Sequence, residues 1–176
     1  MTLERKGLIR FGDREVTVVG PDLKPGDQAP DFTATTQDWQ HIHVLDATRG
    51  KVRIIAAVPS LDTPVCDRET RRFNQEAAAL GEDIAIVVIS ADLPFAQKRW
   101  CGAAGVDKVM VVSDHMDMDF GEKYGCLMKE VRLLRRAVFV VDRNDTIVYA
   151  DYMPRLGDEP NYEEVLEAAK RALDQT

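Results

Sequence analysis

Hydrophobic and polar positions alternate along the first part of the chain and then give way to solid apolar runs. Residues 8–11 and 15–19 alternate on either side of Gly12 and Asp13, which predicts a β-hairpin ended by Gly20 and Pro21. Residues 25–30 carry Pro25, Gly26 and Pro30 and are too punctuated for regular structure. Residues 31–35 and 41–44 predict two short strands. From Val52 the runs are nearly continuous: residues 52–58, 84–89, 109–112 and 137–141. Short runs rich in β-branched residues suit strands covered on both faces. Between them, residues 68–80 place Phe73, Ala77 and Leu80 on one helical face and stop at Gly81. A second helix is expected to start at Asp92-Leu93-Pro94, with Asp92 as N-cap, and to reach Cys101 before Gly102 and Gly105 break it. Residues 138–141 and 146–149, either side of residues 142–145, read as a second hairpin, and Asn161 with Glu164 predicts the start of a last helix. Its apolar stripe is Tyr162, Val165, Leu166, Ala169 and Leu173. The order predicts an α/β fold in which helices flank a mixed sheet, preceded by an N-terminal β-hairpin.

A length of 176 residues, 45% of them hydrophobic and 30% charged, fits a single domain over residues 1–176 with a full core. No apolar run approaches the ~20 residues of a membrane span. Twenty-three Lys and Arg against thirty Asp and Glu give a net charge of −7, which disfavours nucleic acid as a partner. The densest basic group, Arg68, Arg71 and Arg72, is interleaved with Asp67 and Glu69. The first residues contain no apolar stretch of signal-peptide length, so a cytoplasmic location is expected. The cysteines, Cys66, Cys101 and Cys126, are odd in number, and a structural disulfide framework is not expected. No G-x-G-x-x-G or P-loop follows a strand, so no cofactor is expected. His41 and His43 share a strand face without further ligands, and residues 114–119 lack the spacing of a calcium loop, so no metal is expected either.

Chemistry concentrates between Val58 and Cys66. A buried strand ends at Val58, a loop follows, and Pro64 suits the first helical position with Asp62 or Thr63 as cap. Cys66 therefore falls in the first turn of a helix at the carboxyl end of a central strand, where α/β sheets place ligand sites. Free N–H groups and the positive helix end stabilise a thiolate there. The bland reading of Cys66 is a small residue packing a helix start. Cys101 and Cys126 read equally well as core thiols.

The string Pro59-x-x-x-Thr63-x-x-Cys66, followed by Arg72-Phe73-Asn74, resembles the peroxidatic motif of the peroxiredoxins, in their atypical two-cysteine, bacterial thiol peroxidase branch. Residues 93–97 leading to Cys101 resemble that branch's resolving-cysteine helix, Arg136-Ala137-Val138 its strand-borne arginine, and residues 25–32 a further family segment. The resemblance implies a thioredoxin-like fold and a peroxidase for hydrogen peroxide and organic hydroperoxides. It implies Cys66 as nucleophile, Arg136 as permanent charge, Thr63 as hydroxyl donor, Pro59 as shield and Val65 as contributor of a backbone N–H. Arg135 could take the place of Arg136 if the register shifts by one. Cys101 would resolve the Cys66 sulfenic acid within one chain. The resulting disulfide requires close Cα atoms, so both helices are expected to unravel in part. Thioredoxin or a similar dithiol would recycle it. A homodimer is implied, with Val58, Pro59, Leu61 and Pro64 as its expected apolar contacts. Two rivals share the residues: a redox sensor that signals through the same cysteines, and a cysteine hydrolase, which needs a histidine near Cys66.

Overall fold

The computed structural model describes residues 2–175. The hairpin comprises β1 (Glu4–Phe11) and β2 (Arg14–Val19). The strands β3 (Thr33–Thr35) and β4 (His41–His43) lead into the helix α1 (Val44–Ala47) and the strand β5 (Val52–Ala57). Two crossovers follow: α2 (Pro64–Leu80) into β6 (Ile84–Ser90), and α3 (Pro94–Ala104) into β7 (Met110–Ser113). The chain then forms α4 (Asp119–Lys123), β8 (Leu127–Met128), β9 (Leu133–Leu134), β10 (Ala137–Val141), β11 (Ile147–Tyr152) and α5 (Tyr162–Asp174).

Among the described residues the main sheet has the order β11-β10-β5-β6-β7-β3-β4. Its centre, β5-β6-β7, is parallel, with Ile54 opposite Ile86 and Val88 opposite Val111. β10 runs antiparallel to β5 with Phe139 opposite Ile55, and β11 and β3 add further antiparallel pairs. The solid apolar runs are explained by the pleat, which sends successive side chains to opposite faces. Ile55, Ala57, Val87, Ile89, Phe139 and Val141 pack on one side against Phe32, Phe120 and Tyr124. Ile54, Ala56, Ile86, Val88, Val138 and Val140 pack on the other side with Cys66, Phe73, Val165 and Leu166. The aromatic layer is tight: Phe120 stacks on Tyr124 at 4.5 Å, and Tyr124 meets Phe139 edge-on at 5.1 Å. The interruption in β5, Arg53, is buried but donates to the Leu45 carbonyl (2.7 Å), Thr48 (3.0 Å) and the Asp142 carbonyl (2.8 Å).

Several boundaries differ from the sequence pattern. Val44 opens α1 rather than closing β4, because its amide bonds the Phe32 carbonyl and its side chain enters the core. Gly102 lies inside α3; the helix ends at Gly105, which takes the left-handed conformation (φ 69°) that glycine tolerates. Asp92 does not cap α3, since Leu93 occupies the N-cap position. The second sheet, β1-β2-β8-β9, extends the predicted hairpin with two strands too short for a period. Gly20 and Gly125 (φ 96° and 68°) let it dock: a Cβ on the first would lie 2.0 Å from the Glu122 carbonyl, and on the second 2.2 Å from the Pro21 carbonyl. Asn161 caps α5 as expected, accepting from the Glu164 amide at 3.1 Å.

Candidate active site

The loop after β5 is shaped by its own polar groups. Thr63 stands at the N-cap position of α2 in extended conformation, and Pro64 begins the helix. The Thr63 amide (3.2 Å) and hydroxyl (2.8 Å) both donate to the Ser60 carbonyl, closing a turn. The hydroxyl proton thus serves the loop, not the sulfur. The first amide to bond back along the helix is that of Asp67, to the Thr63 carbonyl at 3.0 Å. Val65 and Cys66 therefore hold the first-turn N–H groups at the positive end of a 17-residue helix. Pro59 is buried and Val65 half-buried.

Cys66 is fully buried, and the Nη2 of Arg136 donates to its Sγ at 3.2 Å. Arg136 immediately precedes β10 and is itself buried. Its Nε and Nη2 bond the Leu156 carbonyl at 3.1 and 2.9 Å, and its Nη1 bonds Glu69 at 3.1 Å. Arg135 faces the other way. It pairs with Asp22 at 3.2 Å and lies over the Tyr152 ring at 4.6 Å. A guanidinium and a thiolate at this separation attract by about 5 kcal/mol at an effective dielectric near 20, before desolvation is subtracted. Burial pushes the Glu69 carboxyl up to about 7 even though Arg136 pulls it down, and its second oxygen has no hydrogen-bond partner. Sequence reasoning missed Glu69. The available signal was an acidic residue three positions after Cys66, on the helix face that Thr70 and Phe73 bury, where a carboxyl demands a cation.

Asp92, expected as a cap, instead ties the loop down. Its carboxylate accepts from the Ser60 hydroxyl (2.7 Å), the Leu61 amide (2.8 Å) and the Ser90 hydroxyl (2.7 Å). An open cleft of about 470 Å³, lined by Leu61, Thr63, Pro64, Arg68 and Trp100, lies alongside.

Cys101 sits within α3, mostly buried, with the Gln37 amide donating to its sulfur at 3.5 Å. Burial raises its thiol above the ordinary value and outweighs that bond. Gln97 anchors α3 to the Val112 carbonyl (2.8 Å) and Ser90 (3.1 Å). Cys66 and Cys101 are free thiols in the same core layer. Cys126 belongs to the layer on the opposite face of the sheet, where burial raises its thiol strongly. The histidines lie elsewhere: His41 bonds Thr35, His43 faces Asp31 at 3.9 Å, and His115 bonds Ser113. Val58, Pro59 and Leu61, expected as intermolecular contacts, are buried inside the chain; only Pro64 of that set is exposed. The exposed apolar side chains nearby are Leu93, Phe95, Trp39 and Met116, with Trp39 against Phe95 at 5.1 Å.

A mixed sheet flanked by helices, with a cysteine at a helix start against an arginine, defines a thiol-based redox protein. Residues 24–166 match the Redoxin family. The chain is 56% identical to the thiol peroxidase of Bacillus subtilis (strain 168), over 92% of this chain and 96% of that protein. It is 52% identical to the thiol peroxidase of Oceanobacillus iheyensis, over 90% and 95%. A peroxiredoxin-like protein from Aquifex aeolicus superposes with a TM-score of 0.84 at 39% identity, covering 97% of this chain and 98% of that one. The chain belongs to the Redoxin family, within its bacterial thiol peroxidases, and is a peroxiredoxin-type peroxidase of thioredoxin-like fold.

Glu69 makes the site's contribution to stability pH-dependent. The folded carboxyl keeps its proton to about 7, whereas the ordinary value is 4.5. Between these values the folded state binds more protons, so stability from this group is lost as pH rises. Glu69→Gln cannot ionise. Its stability relative to the unsubstituted chain should rise between pH 5 and 8 by on the order of 2 kcal/mol. Urea unfolding at both pH values checks this; a difference independent of pH contradicts it.

Proposed function

We propose that Cys66 is the peroxidatic cysteine of a hydroperoxide reductase acting as a single domain over the whole chain. The observation that carries this reading is the 3.2 Å contact between Arg136 and the Cys66 sulfur at the start of α2. The thiolate attacks one peroxide oxygen, the O–O bond breaks, and the departing oxygen takes a proton. Hydrogen peroxide then yields water and an organic hydroperoxide yields an alcohol, with Cys66 left as sulfenic acid. The Arg136 guanidinium and the Val65 and Cys66 amides stabilise the negative charge that develops on the oxygens. Buried Pro59 keeps bulk water from the sulfur, and Thr63 sets the turn that aims the helix.

In the next step Cys101 attacks the Cys66 sulfur, the S–O bond breaks, and the oxygen leaves as water after taking a proton. The raised Cys101 thiol supports a coupling to local opening, because the group gains thiolate character once it leaves the protein interior. Thioredoxin or a similar dithiol then reduces the bond by exchange, in a compartment such as the cytoplasm where cysteines are kept reduced. A homodimer is supported by the exposed cluster of Leu93, Phe95, Trp39 and Met116 at the start of α3.

One equivalent of peroxide should lower the free thiols from three to one and yield a Cys66–Cys101 peptide pair. Cys66→Ser should consume no peroxide in steady state. Cys101→Ser should react once and then stall, while Cys126→Ser turns over normally. Sustained turnover by Cys66→Ser, or a Cys66–Cys126 pair as main product, contradicts the scheme. Consumption of one equivalent without turnover in the presence of a dithiol protein would instead favour a sensor.

Sedimentation at tens of micromolar, roughly the range in which a weak interface populates, should show a dimer. Phe95→Asp should shift it to monomer. A monomeric unsubstituted chain under these conditions contradicts the dimer.

A further inference from the structure

The residues next to the two cysteines are bonded to each other. Trp100, which precedes Cys101, donates its Nε1–H to Asp67 at 3.1 Å, and Asp67 follows Cys66. The other Asp67 oxygen accepts from Arg71 Nε. The Arg71 guanidinium lies over the Trp100 ring at 5.7 Å and reaches the Ala104 carbonyl at 3.4 Å. Three side chains thus close a cycle between the first turns of α2 and the last turns of α3.

Beyond the apolar packing of Cys101, Trp100 and Ala104 and the Gln37 bond to the Cys101 sulfur, this cycle is what ties the end of α3 that carries Cys101 to α2. The helix buries only Pro94, Gln97 and Cys101. Its last turn, Gly102-Ala103-Ala104, offers no large side chain, and a glycine there weakens the helix. The Asp92 and Gln97 bonds hold its beginning to the sheet and the Pro59–Thr63 loop. The Trp100–Asp67 bond therefore falls where the helix must open if Cys101 is to reach Cys66.

We propose that Trp100 and Asp67 are positioning residues forming a latch whose release sets the competition between disulfide formation and over-oxidation at Cys66. This rests on the reading above that Cys101 resolves Cys66. The Cys66 sulfenate has two fates. In one, the Cys101 thiolate attacks it, an S–S bond forms, and the oxygen departs as water after taking two protons. In the other, the sulfenate sulfur attacks a second hydroperoxide molecule. The peroxide O–O bond breaks, the sulfur is oxidised to sulfinate, and the peroxide is reduced to water or alcohol. The first fate waits on opening of the helices and is independent of peroxide; the second grows with peroxide concentration. A closed latch therefore prolongs the life of the sulfenate.

The test uses Trp100→Phe in the full chain, which keeps a ring against Arg71 but removes the N–H donor. After one equivalent of peroxide, acid-quenched alkylation and mass spectrometry follow the disulfide. With a dithiol reductant and increasing peroxide, intact mass reads the concentration at which half the Cys66 becomes sulfinic acid. Losing a hydrogen bond to a charged acceptor should speed disulfide formation and raise that concentration by about tenfold. The rate of the first reaction with peroxide should stay unchanged. Asp67→Asn, whose amide oxygen still accepts, should fall nearer the unsubstituted chain than Asp67→Ala. Val141→Ala, in the opposite core layer, lowers stability without touching the latch and should leave the competition unaltered. The latch is overturned if Trp100→Phe matches the unsubstituted chain while the Cys66–Cys101 bond still forms, or if Val141→Ala shifts the competition equally. A digest of the unsubstituted chain lacking that bond overturns the underlying reading, and the latch with it.

Discussion

A buried guanidinium needs compensation, and the way Arg136 obtains it organises the site. An uncompensated charge in the interior costs several kcal/mol. Arg136 is matched by the Leu156 carbonyl, by Glu69, and by the Cys66 sulfur. Each partner comes from a different part of the chain: the segment after β11, the second turn of α2, and its first turn. Burial pushes the Glu69 carboxyl up to about 7 against the pull of Arg136, so this buried pair is held together across a large desolvation cost.

The sheet decides which groups take part. Arg135 and Arg136 differ by one position, and the alternation of an extended backbone sends them to opposite faces. Arg135 joins Asp22 and Tyr152 on the side where Cys126 is buried, and Arg136 joins Cys66. The same alternation divides β5, so one core layer holds Cys66 and Cys101 and the other Cys126. Asp92 then ties the loop before α2 to the start of α3, and the Trp100–Asp67 bond ties the first turn of α2 to the end of α3 that carries Cys101.

Much of this was legible in the sequence because it is local. The central strands declare themselves by β-branched runs, α5 by Asn161 and its stripe, and the placement of Cys66 by Pro64 at the helix start. What was not legible depends on distant partners. β8 and β9 are two residues each: Val18 and Val19 offer β8 an edge, and β8 in turn offers one to β9. Val44 has a β-branched side chain yet starts a helix, since Phe32 supplies a carbonyl to its amide. Asp92 satisfies every local rule for a cap, but Ser60 and Leu61 come within reach only after β5 and β6 pair in parallel. The role of Glu69 depends on an arginine far along the chain, and a single sequence shows only that an acidic residue faces inward.

The most direct test of Arg136 as the charge that activates Cys66 is a stopped-flow, single-turnover measurement of Cys66 oxidation in Arg136→Met and Arg135→Met. The first substitution keeps bulk and removes the charge at the sulfur; the second removes a charge on the opposite face. Arg136→Met should lose about 2–4 kcal/mol of transition-state stabilisation, a rate reduction of roughly 30- to 900-fold. Arg135→Met should stay within threefold of the unsubstituted chain, about 0.6 kcal/mol. A reduction below threefold for Arg136→Met, or a larger loss for Arg135→Met, would contradict the assignment.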